Sequence, residues 1–202
     1  MTGIKLCGLK RESDIDAANA LKPDYIGFVF APKSKRYVTR DEAKKLKAGL
    51  SERISAVGVF VDEAPEAVAE LLNLGIIDIA QLHGHEDDAY IGRLRELSQK
   101  PIIQAFRVVN AGDAARASLS AADFVLLDSG AGTGSAFDWG LIQGFGRPYF
   151  LAGGLSPQNV GGAVRALRPF AVDVSSGIET DGVKDKEKMV AFVAAVREAD
   201  IL

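Results

Sequence analysis

Residues 148–174 read PYFLAGGLSPQNVGGAVRALRPFAVDV. A short apolar run over 148–152 stops at Gly153 and Gly154. Ser156 and Pro157 then open a segment of helical period that reaches Leu167, and a second apolar run, 170–174, follows almost at once. Short apolar runs alternating with amphipathic segments mark an α/β chain. Working outward, the same rhythm recurs. Further strands are expected over 4–7, 24–30, 54–61, 78–82, 102–106 and 123–128. Between them, helices are expected from Ser13, whose hydroxyl can accept from first-turn amides beside Asp14 and Asp16, and from Thr39, with Glu42 completing a capping box, to about Leu50. Others run from Pro65 to about Gly75, over 87–98, weakly over 113–118, briefly from Asp138, and over 186–199.

Strand starts near residues 3, 24, 54, 78, 101, 122, 149 and 170 are 21 to 30 residues apart. Each interval holds one strand, one helix and two tight loops, which leaves no room for a second domain. Residues 1–202 are therefore expected to form one α/β domain. An open doubly wound sheet can also use eight strands, but eight units without an antiparallel strand favour a closed (β/α)8 TIM barrel.

Composition narrows the function. Twenty-four Lys and Arg against 27 Asp and Glu give a net charge of −3, which argues against a general nucleic-acid binder. Hydrophobic residues make up 48% and charged residues 25%, enough for a sizeable core, and no apolar stretch approaches the roughly 18 residues a membrane helix needs. The lone Cys7 cannot form an intramolecular disulfide, and no leader-like apolar segment opens the sequence, so a reducing cytoplasm is the expected location.

In a barrel of this kind, chemistry sits at the carboxyl ends of the strands. Those ends are polar here: Lys5-Leu-Cys7-Gly8, Lys33-Ser-Lys-Arg36-Tyr37, Gln81-Leu-His83-Gly84-His85, Asp128, Ala152-Gly-Gly154 and Asp173-Val-Ser175-Ser176-Gly177. Gly153 and Gly154 let backbone amides approach a ligand closely, with a helix start just behind them. Ser175, Ser176 and Gly177 add hydroxyls and amides from the adjacent strand, so these two loops are expected to bind a phosphate. Tight turns alone would also explain either glycine pair. Gly130-Ala-Gly132-Thr-Gly134 lacks the spacing of a dinucleotide fingerprint.

Cys7 and Asp128 are the candidate proton handlers. A thiolate beside cations is an adequate base, and a carboxyl following the apolar run 124–127 is pushed toward its neutral, donating form. The bland alternatives are a small buried hydrophobe and a loop cap. His83 and His85 invite a metal reading, but Gly84 breaks the strand between them and Glu86, Asp87 and Asp88 read as first-turn helix residues. No metal is expected, and His83 is read as orienting substrate. The basic cluster Lys33, Lys35 and Arg36 suits an anionic ligand.

The motifs Lys5-Leu-Cys-Gly8, Gly27-Phe-Val-Phe30, Pro32-Lys-Ser-Lys-Arg36-Tyr37, Gln81-Leu-His-Gly84, Leu127-Asp128, Phe137-Asp-Trp139, Ala152-Gly-Gly-Leu155 and 168–177, taken in order, resemble the phosphoribosylanthranilate isomerase family across essentially the whole chain. The resemblance implies a TIM barrel performing an Amadori rearrangement in tryptophan biosynthesis, without cofactor or metal. By it, Cys7 is the general base and Asp128 the general acid. Arg36 holds the anthranilate carboxylate, and His83 and Asp173 line the substrate. Gly153, Gly154, Ser175, Ser176 and Gly177 bind the phosphate. The partner implied is a small phosphorylated substrate, with no nucleic acid or membrane, and the assembly a monomer or homodimer. The sequence departs from the family pattern at Lys10, after Cys7-Gly-Leu, and at Ser135, where a lysine is common. A histidine-pathway aminoaldose isomerase would carry acidic residues at both catalytic positions, a phosphopentose epimerase would need a metal set, and a silent barrel would bind without turnover.

Overall fold

Side-chain parity along the strands decides what this fold can do. In the computed structural model, which describes residues 1–128 and 139–201, eight parallel strands close in chain order. They are β1 (Gly3–Cys7), β2 (Tyr25–Val29), β3 (Ser55–Phe60), β4 (Ile79–Leu82), β5 (Ile102–Arg107), β6 (Phe124–Asp128), β7 (Tyr149–Ala152) and β8 (Ala171–Val174). Alternate residues face opposite sides of a strand. One set, Val57, Ile79, Ile103, Leu126, Phe150 and Ala171, fills the barrel interior, with Tyr25 and Phe124 packed against it. The other set, including Ile4, Leu6, Ile26, Phe28, Phe60, Leu82, Leu127 and Val172, packs outward under the helices. The interior parity carries Lys5, Cys7, Gln81, Asp128 and Asp173 toward the barrel axis.

The seam that closes the barrel joins the first strand to the last, with Lys5 opposite Asp173 in the β1–β8 register. The outer helices are α1 (Glu12–Leu21), α2 (Arg40–Ala48), α3 (Pro65–Asn73), α4 (Asp88–Leu97), α5 (Ala111–Ser118), α6 (Val160–Leu167) and α7 (Lys186–Ala199). The Thr39–Glu42 capping box forms as expected, and Asp87 caps α4 by accepting from the Tyr90 amide at 2.9 Å.

Several local expectations are corrected. Ser13 lies inside the first turn of α1 and does not cap it; Asp14, in the same turn, reaches back so that its carboxylate accepts from the amides of Lys10 and Arg11, just ahead of the helix, at 3.0 and 3.1 Å. A carboxylate three residues into the helix reaches back better than a hydroxyl can. Helix α5 starts earlier than expected because Asn110 and Asp113 form a capping box. Helix α6 starts later, since the Ser156 carbonyl first accepts from Asn159 and Val160 in a separate turn. A short 3-10 turn, Trp139–Ile142, occupies the place of the sixth helix, while the 130–134 glycine loop, Ser135 and the helix start at Asp138 lie outside the described residues. After β8 the chain adds an unforeseen 3-10 turn, Ser176–Ile178, and a small hairpin of β9 (Glu179–Thr180) and β10 (Val183–Lys184).

Candidate active site

A cavity of about 510 Å³ opens at the carboxyl end of the barrel. Its lining brings together nine of the ten residues singled out from the sequence: Cys7, Arg36, His83, Asp128, Gly153, Gly154, Asp173, Ser175 and Ser176. Gly177 is not among them. It stands behind the wall, where a Cβ would overlap the Leu155 carbonyl oxygen, so glycine is needed there for the two phosphate-side loops to touch. Lys33 and Lys35 are exposed, and of that basic cluster only Arg36 reaches the cavity. Lys10 donates to the Lys35 carbonyl at 3.0 Å, which ties the loop after β1 to the loop carrying Arg36.

Cys7 ends β1 with 7% of its surface exposed. Gly27 on the adjacent β2 makes its position possible, because a Cβ at residue 27 would come within 2.6 Å of the Cys7 sulfur. Two residues earlier, and therefore on the same face, Lys5 is fully buried and donates to Asp173 at 2.9 Å. Burial disfavours the Lys5 charge, but Asp173 and Cys7 overcome it and hold the lysine pKa above its ordinary value. For the thiol, burial pushes the pKa up; Lys5 pulls it down, Asp173 pushes it up again and Lys184 pulls it down, and the net direction is up. The expected depression by cationic neighbours is thus outweighed by desolvation.

Asp128 ends β6, three strands from β1 around an eight-stranded ring, so the thiol and this carboxyl approach the mouth from well-separated sides. His83 Nε2 lies 3.8 Å from Asp128 Oδ2. Behind it, Gln81 Nε2 sits 2.9 Å from His83 Nδ1. If that amide donates, Nδ1 is the acceptor and the imidazole carries its proton on Nε2, toward Asp128. His85 points away, 93% exposed and 3.0 Å from Asp62, so the two histidines do not share a site.

The anion side has two parts. Gly153 and Gly154 have φ of 92° and 63°, left-handed conformations that L residues rarely adopt, and the loop is pinned where Asn159 donates to the Gly154 carbonyl at 2.9 Å. Ser175 donates its hydroxyl to the Cys7 carbonyl at 3.2 Å, which commits that hydroxyl to the chain rather than to a ligand. Arg36 makes a two-point ion pair with Glu179, Nε to Oε1 at 2.6 Å and Nη2 to Oε2 at 2.7 Å. Lys184, 2% exposed, also reaches Glu179 Oε1 at 2.6 Å. Burial opposes the Glu179 charge, but hydrogen bonds from Arg36 and Lys184 hold its pKa at about 2.

Glu179 and Lys184 were not read from the sequence. The available signal was their place just after Ser175-Ser176-Gly177, but charged residues five apart in a polar segment read as solvated.

Among the described residues, no group of three or more His, Cys, Asp and Glu side chains could hold a metal, and no helix is long and apolar enough to cross a membrane. The family model described as N-(5'-phosphoribosyl)anthranilate isomerase matches residues 4–195. The chain is 44% identical over 202 residues to the N-(5'-phosphoribosyl)anthranilate isomerase of Endomicrobium trichonymphae, covering 98% of this chain and 99% of that protein. The crystal structure of phosphoribosyl anthranilate isomerase from Thermotoga maritima superposes with a TM-score of 0.90 at 35% identity, over 98% of this chain and 100% of that one. A phosphoribosyl anthranilate isomerase in complex with reduced 1-(o-carboxyphenylamino)-1-deoxyribulose 5-phosphate gives a TM-score of 0.88 at 35% identity, with the same coverage.

Proposed function

This chain belongs to the N-(5'-phosphoribosyl)anthranilate isomerase family and catalyses that family's Amadori rearrangement in tryptophan biosynthesis, and from that premise we propose that Cys7 is its general base and Asp128 its general acid. The observation that carries the assignment is that a thiol on β1 and a carboxyl on β6 open into one cavity, between an arginine on one side and two glycine-rich loop ends on another.

Asp128 in its acid form gives a proton to the furanose ring oxygen. As the C1–O bond breaks, the anilino nitrogen's lone pair forms C=N, giving an iminium. That cation acidifies the C2 hydrogen, the Cys7 thiolate removes it, and the electrons of the C–H bond become the C1–C2 double bond of an enolamine. Loss of the C2 hydroxyl proton and protonation at C1 then give 1-(2-carboxyphenylamino)-1-deoxyribulose 5-phosphate.

His83, beside Asp128, orients the carboxyl and lines the substrate. Arg36 takes the anthranilate carboxylate, for which a planar guanidinium is well shaped. The amides around Gly153, Gly154, Ser175 and Ser176 hold the phosphate, while Gly177 behind them lets the two loops touch. Asp173 acts on the thiol through Lys5.

Freshly generated phosphoribosylanthranilate is fluorescent, and its decay should accelerate with catalytic amounts of the protein. Saturable binding without acceleration would overturn the assignment of turnover to this site.

A second expectation concerns pH. The active form of the base is the deprotonated thiol, and its pKa is raised. Each unit of pH below that pKa therefore costs a factor of ten in thiolate. The rate at which a neutral reagent alkylates Cys7 should climb between about pH 6 and pH 9 without an early plateau. A profile that is flat over that range would remove Cys7 thiol ionisation as its determinant.

A further inference from the structure

We infer that Glu179 is the positioning residue for the carboxylate end of the site, holding one edge of Arg36 so that the other edge meets the substrate. The inference rests on the reading of Arg36 given above and adds a residue to it. A guanidinium presents five N–H groups along two usable edges, one made by Nε and Nη2 and the other by Nη1 and Nη2. Glu179 takes the first edge at 2.6 and 2.7 Å. What remains for a ligand is the outer edge of a side chain that lines the cavity and is 30% exposed. A second carboxylate can therefore bind side by side with two parallel bonds without displacing the first.

Glu179 is itself held firmly. Its side chain is 8% exposed, Lys184 donates to it at 2.6 Å, and the two residues are paired in the β9–β10 hairpin. The lysine is fixed in turn by the Ser175 carbonyl and hydroxyl at 2.9 and 3.3 Å. Two cations against one carboxylate leave one positive charge in excess at this corner, and an anthranilate carboxylate balances it. Without Glu179 the long arginine stem is free to rotate, and the charge stays while the direction is lost.

The test uses two inhibitors that differ in one group: reduced 1-(o-carboxyphenylamino)-1-deoxyribulose 5-phosphate and its counterpart with an unsubstituted phenyl ring. Glu179→Gln should weaken the carboxylated inhibitor by roughly tenfold and change the other by less than about twofold. Arg36→Ala should abolish most of the discrimination, and the double variant should match Arg36→Ala alone to within about twofold, because both changes act through one group.

Equal weakening of both inhibitors by Glu179→Gln, or single losses that multiply in the double variant, would overturn the inference. Should Arg36→Ala leave the discrimination intact, the failure lies in the Arg36 reading itself. If Glu179→Gln does not fold, Glu179→Asp keeps the charge but draws it back by one methylene. It should cut the discrimination about threefold, and unchanged discrimination there counts against Glu179.

Discussion

Cys7→Ala and Asp128→Asn should each lower kcat by about 10²–10⁴-fold while changing substrate affinity far less. Each change removes a proton carrier and leaves the groups proposed to hold the ends of the ligand, Arg36 and the glycine-rich loops, in place. Alanine at residue 7 removes only the sulfur from a pocket already bounded by Gly27. Asparagine at residue 128 keeps the shape that faces His83 but cannot give up an acid proton at useful cost. The double variant should be little worse than the worse single variant, since one missing proton step already stalls the sequence. Measuring kcat and KM separately checks this, and unimpaired kcat in either single variant would end the assignment of that residue. The raised thiol pKa does not argue against Cys7. A scarce thiolate is also a stronger base, and the iminium formed beside it is a cation that favours its ionisation at the moment it is needed.

Asp173→Asn should cost about 3–5 kcal/mol of stability, because it leaves the ammonium of Lys5, a fully buried side chain, without its counter-ion. For a chain of this size that corresponds to a fall in melting temperature on the order of 10 °C. The same substitution removes a negative charge that raises the Cys7 pKa and frees Lys5 to face the sulfur. The thiol should therefore ionise at lower pH in the variant. Lys5→Met should move the thiol the other way while also destabilising, since it strands Asp173. Opposite shifts in the pH dependence of thiol alkylation, combined with losses of stability of the same sign, are the signature of the Cys7–Lys5–Asp173 arrangement. Shifts in the same direction would show that the carboxylate does not act on the sulfur through Lys5.

The barrel was legible because its strands are short apolar runs at regular intervals, and because Thr39 with Glu42, Pro65 and Asp87 mark where helices start. Cys7, His83, Asp128 and Asp173 could be picked out because closing the barrel sends every strand's carboxyl end to one mouth. What escaped has physical reasons. Arg36 and Glu179 meet across 143 positions, and nothing local distinguishes a buried glutamate from a solvated one. The β9 and β10 strands have two residues each, too short to show alternation. At Ser13 the residue type was right for a cap, but the helix starts earlier, and Asp14 in its first turn reaches back to the Lys10 and Arg11 amides with a charged oxygen. The helix behind Gly154 was expected to point its positive end at the phosphate, yet a separate turn at Ser156 intervenes before α6 begins.

The β1–β8 seam carries an implication for synthesis. Lys5 leaves the ribosome 168 positions ahead of its counter-ion. Until then the nascent chain holds an ammonium that cannot be tucked away without a heavy desolvation penalty, so the open-edged intermediate is discouraged from collapsing around the wrong strand. Arrival of the eighth strand neutralises that charge and closes the ring together, which couples completion of the barrel to maturation of its thiol.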